Sequence, residues 1–162
     1  MTAAITASDI LEAAIRIEEN GEVFYRDMAQ KAFDPEIRKT FEYLANQEVK
    51  HRRLFADLLA QTSNVKPPEF YPGEYMDYLH AFADRHVFTL ENTGRLKAKL
   101  MKTAKQAVRF GIQVELDSLL FYLEAKTFVE EKQAETIDQI VEEERRHFVM
   151  LQKLYNVLRK KK

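Results

Sequence analysis

The helix-breaking residues of this 162-residue chain are few and unevenly placed. It has only four glycines and four prolines, and Pro67, Pro68, Pro72 and Gly73 fall together in one short stretch. Elsewhere proline occurs only at Pro35, where Asp34-Pro35-Glu36 reads as N-cap, first helical residue and an acid suited to the positive end of the helix dipole. A proline inside a helix removes a hydrogen bond and clashes with the preceding turn, so one cluster divides the chain into two helical halves. With 46% apolar and 31% charged residues, those halves have the balance of amphipathic helices rather than of sheet.

A first helix is predicted over about 8–31, with Ser8 as N-cap and Asp9 and Glu12 in its first turn. A second runs over about 35–59, and so short a connection makes the pair antiparallel. The crossover, about 60–96, carries the proline cluster, a short helix over about 74–88 and a break at Asn92-Thr93-Gly94. A third long helix is predicted over about 97–128 and a fourth over about 134–159, ending in the basic tail Arg159–Lys162. The fold class is therefore all-α: one domain over 1–162, a four-helix bundle of two antiparallel hairpins joined by a long crossover.

Charge and cysteine content exclude several functions. Lys and Arg number 25 against 26 Asp and Glu, a net charge of -1, so no electrostatic basis exists for binding nucleic acid or an anionic membrane. Without cysteine there can be no disulfide, zinc–thiolate site, iron–sulfur cluster, rubredoxin-type centre or thiol nucleophile. Met1–Ser8 has no basic flank, and no apolar run reaches membrane-spanning length, so a cytoplasmic location is expected.

The inward stripes carry the chemistry. At bundle spacing the four run Leu11, Ala14, Glu18, Gly21, Tyr25, Met28; Ile37, Phe41, Leu44, Glu48, His51, Phe55, Leu58; Ala104, Val108, Gly111, Glu115, Ser118, Tyr122, Ala125; and Ile137, Ile140, Glu144, His147, Leu151, Leu154, Leu158. Each apolar seam has an acid near its middle, and the second and fourth add a histidine three residues later. Four buried carboxylates without partners would each cost several kcal/mol. Two divalent cations balance four Glu, and two neutral imidazoles complete the donor set. Residues three apart share a helix face, so Glu48 with His51, and Glu144 with His147, can each serve one ion. A Glu from each of two helices plus Glu-x-x-His from each of the other two is the donor pattern of dinuclear carboxylate centres in bundles. Mixed oxygen and nitrogen donors suit iron or manganese better than calcium, and they also accommodate zinc.

The two halves are similar to each other. Glu18-Glu19-Asn20-Gly21-Glu22-Val23-Phe24-Tyr25 aligns with Glu115-Leu116-Asp117-Ser118-Leu119-Leu120-Phe121-Tyr122, and Glu48-x-x-His51 with Glu144-x-x-His147. A pseudo-twofold centre is expected, with Tyr25 and Tyr122 as candidate hydrogen-bond donors to it. Glu22 borders the seam and is a candidate additional donor. Glu19, Glu142 and Glu143 read as solvent-facing, and His80 and His86, six apart, do not share a face. The plain alternative is a polar seam hydrogen-bonded internally without metal.

These four motifs resemble the ferritin-like superfamily and, within it, the rubrerythrin-like family, along essentially the whole chain. The resemblance implies that Glu18 and Glu115 are terminal carboxylates, Glu48 and Glu144 bridge two iron ions, and His51 and His147 are terminal nitrogen ligands. It implies a non-haem di-iron or dimanganese oxidoreductase reducing peroxide or dioxygen. An external electron donor such as a rubredoxin-like carrier would supply it, and a homodimer is expected. Two departures stand out. Ser118 occupies the place of the extra acid typical of peroxidase rubrerythrins, and no cysteines are present to form a rubredoxin centre. The six-donor set is similar to that of bacterioferritin, although no methionine is assigned as a haem ligand. The alternative function is iron binding or storage with ferroxidase activity.

Overall fold

The computed structural model describes residues 6–62 and 93–160. Helix α1, Ala7–Lys31, is capped by Thr6 rather than Ser8: Thr6 Oγ1 accepts from the Asp9 amide at 3.2 Å while the Asp9 carboxylate accepts from the Thr6 amide at 2.8 Å. This reciprocal box satisfies two amides that a cap at Ser8, two residues inside, would leave open. Helix α2, Pro35–Gln61, begins as the sequence predicts, with the Asp34 side chain accepting from the Glu36 and Ile37 amides.

The predicted helix over 97–128 is three pieces. Helix α3, Gly94–Leu100, is followed by a break at Met101–Thr103, then helix α4, Ala104–Ala125, and a 3-10 turn, Lys126–Phe128. The break has a local cause, because Thr103 and Gln106 form a second capping box that starts α4 afresh. Close packing holds α3 against α1: the Gly94 amide donates to Asn20 Oδ1 at 2.8 Å, and a Cβ on Gly94 would lie 2.0 Å from the Asn20 carbonyl oxygen. Only glycine allows that approach. Helix α5, Glu131–Lys160, starts three residues before the predicted Ala134, with Gln133 Oε1 accepting from the Glu130 amide. The predicted crossover helix over about 74–88, with His80 and His86, lies outside the described residues.

The described chain is an all-α bundle with two antiparallel hairpins, α1 with α2 and α4 with α5. Its apolar core is divided in two. One part gathers Leu11, Ala14, Phe55, Tyr122, Phe128 and Ile137 at the end where α1 and α5 begin. The other gathers Phe24, Tyr25, Phe41, Leu44, Val108 and Leu151 at the opposite end. Burying such side chains contributes roughly 1.5–3 kcal/mol each. Between these plugs lies a layer of buried Glu18, Glu48, His51, Glu115, Ser118, Glu144 and His147. The apolar ends thus hold together and shield a centre that would itself oppose folding. No helix among the described residues is long and apolar enough to cross a membrane.

Candidate metal centre

Helical periodicity places the acids at mid-helix, and antiparallel pairing brings the four mid-points to one level. Donor atoms of Glu18, Glu48, His51 and Glu144 all lie within 4.8 Å of one another, as do those of Glu115, Glu144 and His147. Glu144 belongs to both groups. Its Oε1 stands 2.9 Å from His51 Nδ1 and its Oε2 3.0 Å from His147 Nδ1. The two imidazoles stack between α2 and α5, ring centres 5.7 Å apart and planes 27° apart. Glu18 Oε2 lies 3.6 Å from His51 Nδ1, and Glu115 Oε2 lies 3.7 Å from His147 Nδ1. All six predicted metal-site residues are therefore brought together, in two similar halves.

Each tyrosine serves the opposite half. Tyr25 of α1 donates to Glu115 of α4, and Tyr122 of α4 donates to Glu18 of α1. Burial and the neighbouring carboxylates, chiefly Glu115 for Tyr25 and Glu18 for Tyr122, push both phenols well above their ordinary range, so they remain donors. Small residues make room beside these groups. A Cβ on Gly21 would come within 3.0–3.2 Å of the Glu48 carboxylate, and one on Gly111 within 3.1–3.2 Å of Leu151 and the Tyr25 ring. Ser118 is buried in this layer, where an acid would add charge.

Other acids divide differently from the sequence reading. Glu22 is held by Arg26 at 2.8 Å and Arg52 at 3.0 Å, and it does not join either donor group. Glu19 is exposed, and Glu142 pairs with Arg145 at the surface, as expected. Glu143 is 42% exposed, in keeping with the solvent-facing reading, and in addition its Oε2 lies 2.9 Å from His51 Nε2. That contact runs from α5 to α2, so spacing along α5 alone could not reveal it. Tyr43, 44% exposed, meets the His147 ring edge-on at 5.9 Å and is likewise invisible in the stripe pattern.

The electrostatics are those of a cage built around positive charge. Burial raises Glu48 well above the carboxylate range, and Glu18, Glu144 and Glu115 add repulsion. Burial and the Glu144 charge lift Glu115 to about 8. Burial opposes charge on the imidazoles, yet the surrounding acids outweigh it: Glu18 and Glu144 bring His51 to about 12, and Glu115 and Glu144 bring His147 to about 10. Glu144 is also pushed up by burial, but its hydrogen bonds with Glu115, His147 and His51 hold it below the usual range.

One observation tests whether a metal ion fits. Glu18 Oε2, His51 Nδ1 and Glu144 Oε1 are buried and face one another, Nδ1 lying 2.9 Å from Glu144 Oε1 and 3.6 Å from Glu18 Oε2, with no hydrogen-bond partner outside the cluster. Buried polar atoms are rarely left so. A cation among them would satisfy all three, and the hard-oxygen and imidazole donors suit a first-row divalent ion.

This bundle and its paired Glu/His clusters define a ferritin-like protein with a carboxylate–histidine site that could hold metal. The Rubrerythrin family model matches residues 9–155, and the chain belongs to that family. A Thermotoga maritima protein provisionally described as ferritin-like and diiron-carboxylate has a similar structure. Its TM-score is 0.70 with 31% identity, over 96% of this chain and 98% of that one. A hypothetical protein from Pyrococcus furiosus shares the fold, with a TM-score of 0.70 and 23% identity over 94% of this chain and 89% of that one. No curated protein matches the chain.

Proposed function

We propose that the protein is a dinuclear non-haem iron oxidoreductase that reduces peroxide or dioxygen, with manganese as the alternative metal. The observation that carries this reading is the sealed layer of four acids and two histidines, in which three mutually facing atoms have no hydrogen-bond partner outside the cluster. Glu18, Glu48 and His51 would hold one ion, Glu115 and His147 the other, and Glu144 both. When bound, two ferrous ions supply the two electrons that split an O–O bond. The protein residues keep the centre dry and fixed. Tyr25 and Tyr122 orient Glu115 and Glu18 through their hydroxyls, and the two apolar plugs exclude bulk water. Electrons would come from a separate carrier of rubredoxin-like type, because no cysteine is available to form such a centre here.

Ser118 supports a second reading, iron binding or storage with ferroxidase activity, because the second half lacks the extra acid of peroxidase rubrerythrins. Stopped-flow mixing of ferrous-loaded protein with peroxide tests the first proposal. Oxidation much faster than that of free ferrous ion is expected, and an equal rate ends the catalytic claim. Size-exclusion chromatography separates the readings, since a monomer or dimer of 19.0 kDa chains cannot enclose a mineral.

A further inference from the structure

The two halves of the centre are similar but not equal. The half around His51 offers four donors, whereas the half around His147 offers three. Among the described residues, three buried atoms with no hydrogen-bond partner outside their own cluster, Glu18 Oε2, His51 Nδ1 and Glu144 Oε1, belong to the His51 half. An ion entering either half must displace a contact between an imidazole Nδ1 and Glu144, 2.9 Å to Oε1 at His51 and 3.0 Å to Oε2 at His147, so the halves differ in the number of donors rather than in that contact.

The residues that precede the two Glu-x-x-His motifs differ as well. His51 Nε2 meets the Glu143 carboxylate at 2.9 Å. A carboxylate there takes the outer N–H and fixes the ring with Nδ1 facing the site. Glu143 directly precedes Glu144, and the residue directly preceding Glu48 is Gln47. Gln47 is a buried neutral amide whose Oε1 accepts from Lys50 Nζ at 3.3 Å. The duplication therefore gives one half a carboxylate and the other an amide at the equivalent position.

We propose that the two metal positions fill in order, the Glu18–Glu48–His51–Glu144 position first, and that Glu143 is the positioning residue that sets this order through His51. The proposal rests on the metal-binding reading above. Glu144 couples the steps, because engaging Oε1 first leaves Oε2 directed at His147 for the second ion.

Titration of the metal-free protein with Co2+, followed by visible absorption and calorimetry, tests this order without any activity readout. Two successive phases of one equivalent each are expected. Glu115→Gln should abolish the second phase and keep the first. Glu143→Gln should weaken the first by roughly 10–100-fold, with a much smaller effect on the second. A single two-equivalent phase in the unaltered protein overturns the order, as does loss of the first phase in Glu115→Gln. Equal weakening of both phases, or of neither, in Glu143→Gln overturns the role of Glu143. Failure of the unaltered protein to take up Co2+ at all overturns the metal-binding reading itself, which is a distinct result.

Discussion

Loading the centre should release protons in a number fixed by its electrostatics. In the metal-free protein, burial and repulsion push Glu48 well above the carboxylate range, and Glu115 titrates at about 8. His147 holds its extra proton to about 10 and His51 to about 12. Metal binding requires ionised carboxylates and neutral imidazoles, so two divalent ions should displace about three protons per chain at pH 6.5 from Glu115, His51 and His147, with the raised Glu48 adding to that number. The overall apparent affinity for the two ions should then rise roughly a thousandfold or more per pH unit near pH 6.5. At pH 9 Glu115 is already about nine-tenths ionised, and the release should fall by about one. Calorimetric titration with Zn2+ in buffers of different ionisation enthalpy counts these protons directly. Release below about one proton per chain at pH 6.5 would refute the reasoning, because the donors would then already be in their metal-ready forms.

Metal-free stability should carry the same signature. Raised groups stabilise fully below their ordinary values and lose that contribution as pH rises, Glu115 from 4.5 to about 8 and His147 from 6.5 to about 10. The melting temperature without metal should therefore fall from pH 6 to pH 9, and a flat profile by circular dichroism would contradict the burial argument. Glu144→Ala should deplete both metal positions, whereas Glu18→Ala should retain the ion held at Glu115 and His147; elemental analysis with equal losses in the two variants would count against the shared position of Glu144. Gly21→Ala adds a Cβ 3.0–3.2 Å from the Glu48 carboxylate and should lower metal affinity about tenfold while sparing metal-free stability. Unchanged affinity in a Co2+ titration would show that Glu48 does not need that space.

Much of the architecture is legible in the chain because a helix repeats every 3.6 residues. The stripes from Leu11 to Met28, Ile37 to Leu58, Ala104 to Ala125 and Ile137 to Leu158 are buried in the structure except at Ala104, Leu154 and Leu158, near the bundle's end, which are half-buried. Boundaries were less legible where two caps compete. Thr6 outranks Ser8 because its box includes Asp9, and Thr103 with Gln106 divides a stretch whose periodicity alone reads as continuous. Glu143 faces outward as read, but its contact with His51 was not legible for another reason: that partner is 92 residues away and on another helix.

The sequence by itself determined that four acids and two histidines would share the inner faces of long helices, since spacing along one helix is a local property. Only the tertiary structure decided how those faces meet: which tyrosine reaches which glutamate, that Glu144 stands between both imidazoles, and that the Glu143 carboxylate reaches His51. Those relations depend on the rotation and axial offset of one helix against another. Packing of the apolar ends around the charged layer sets both, and no repeat within a single helix encodes them.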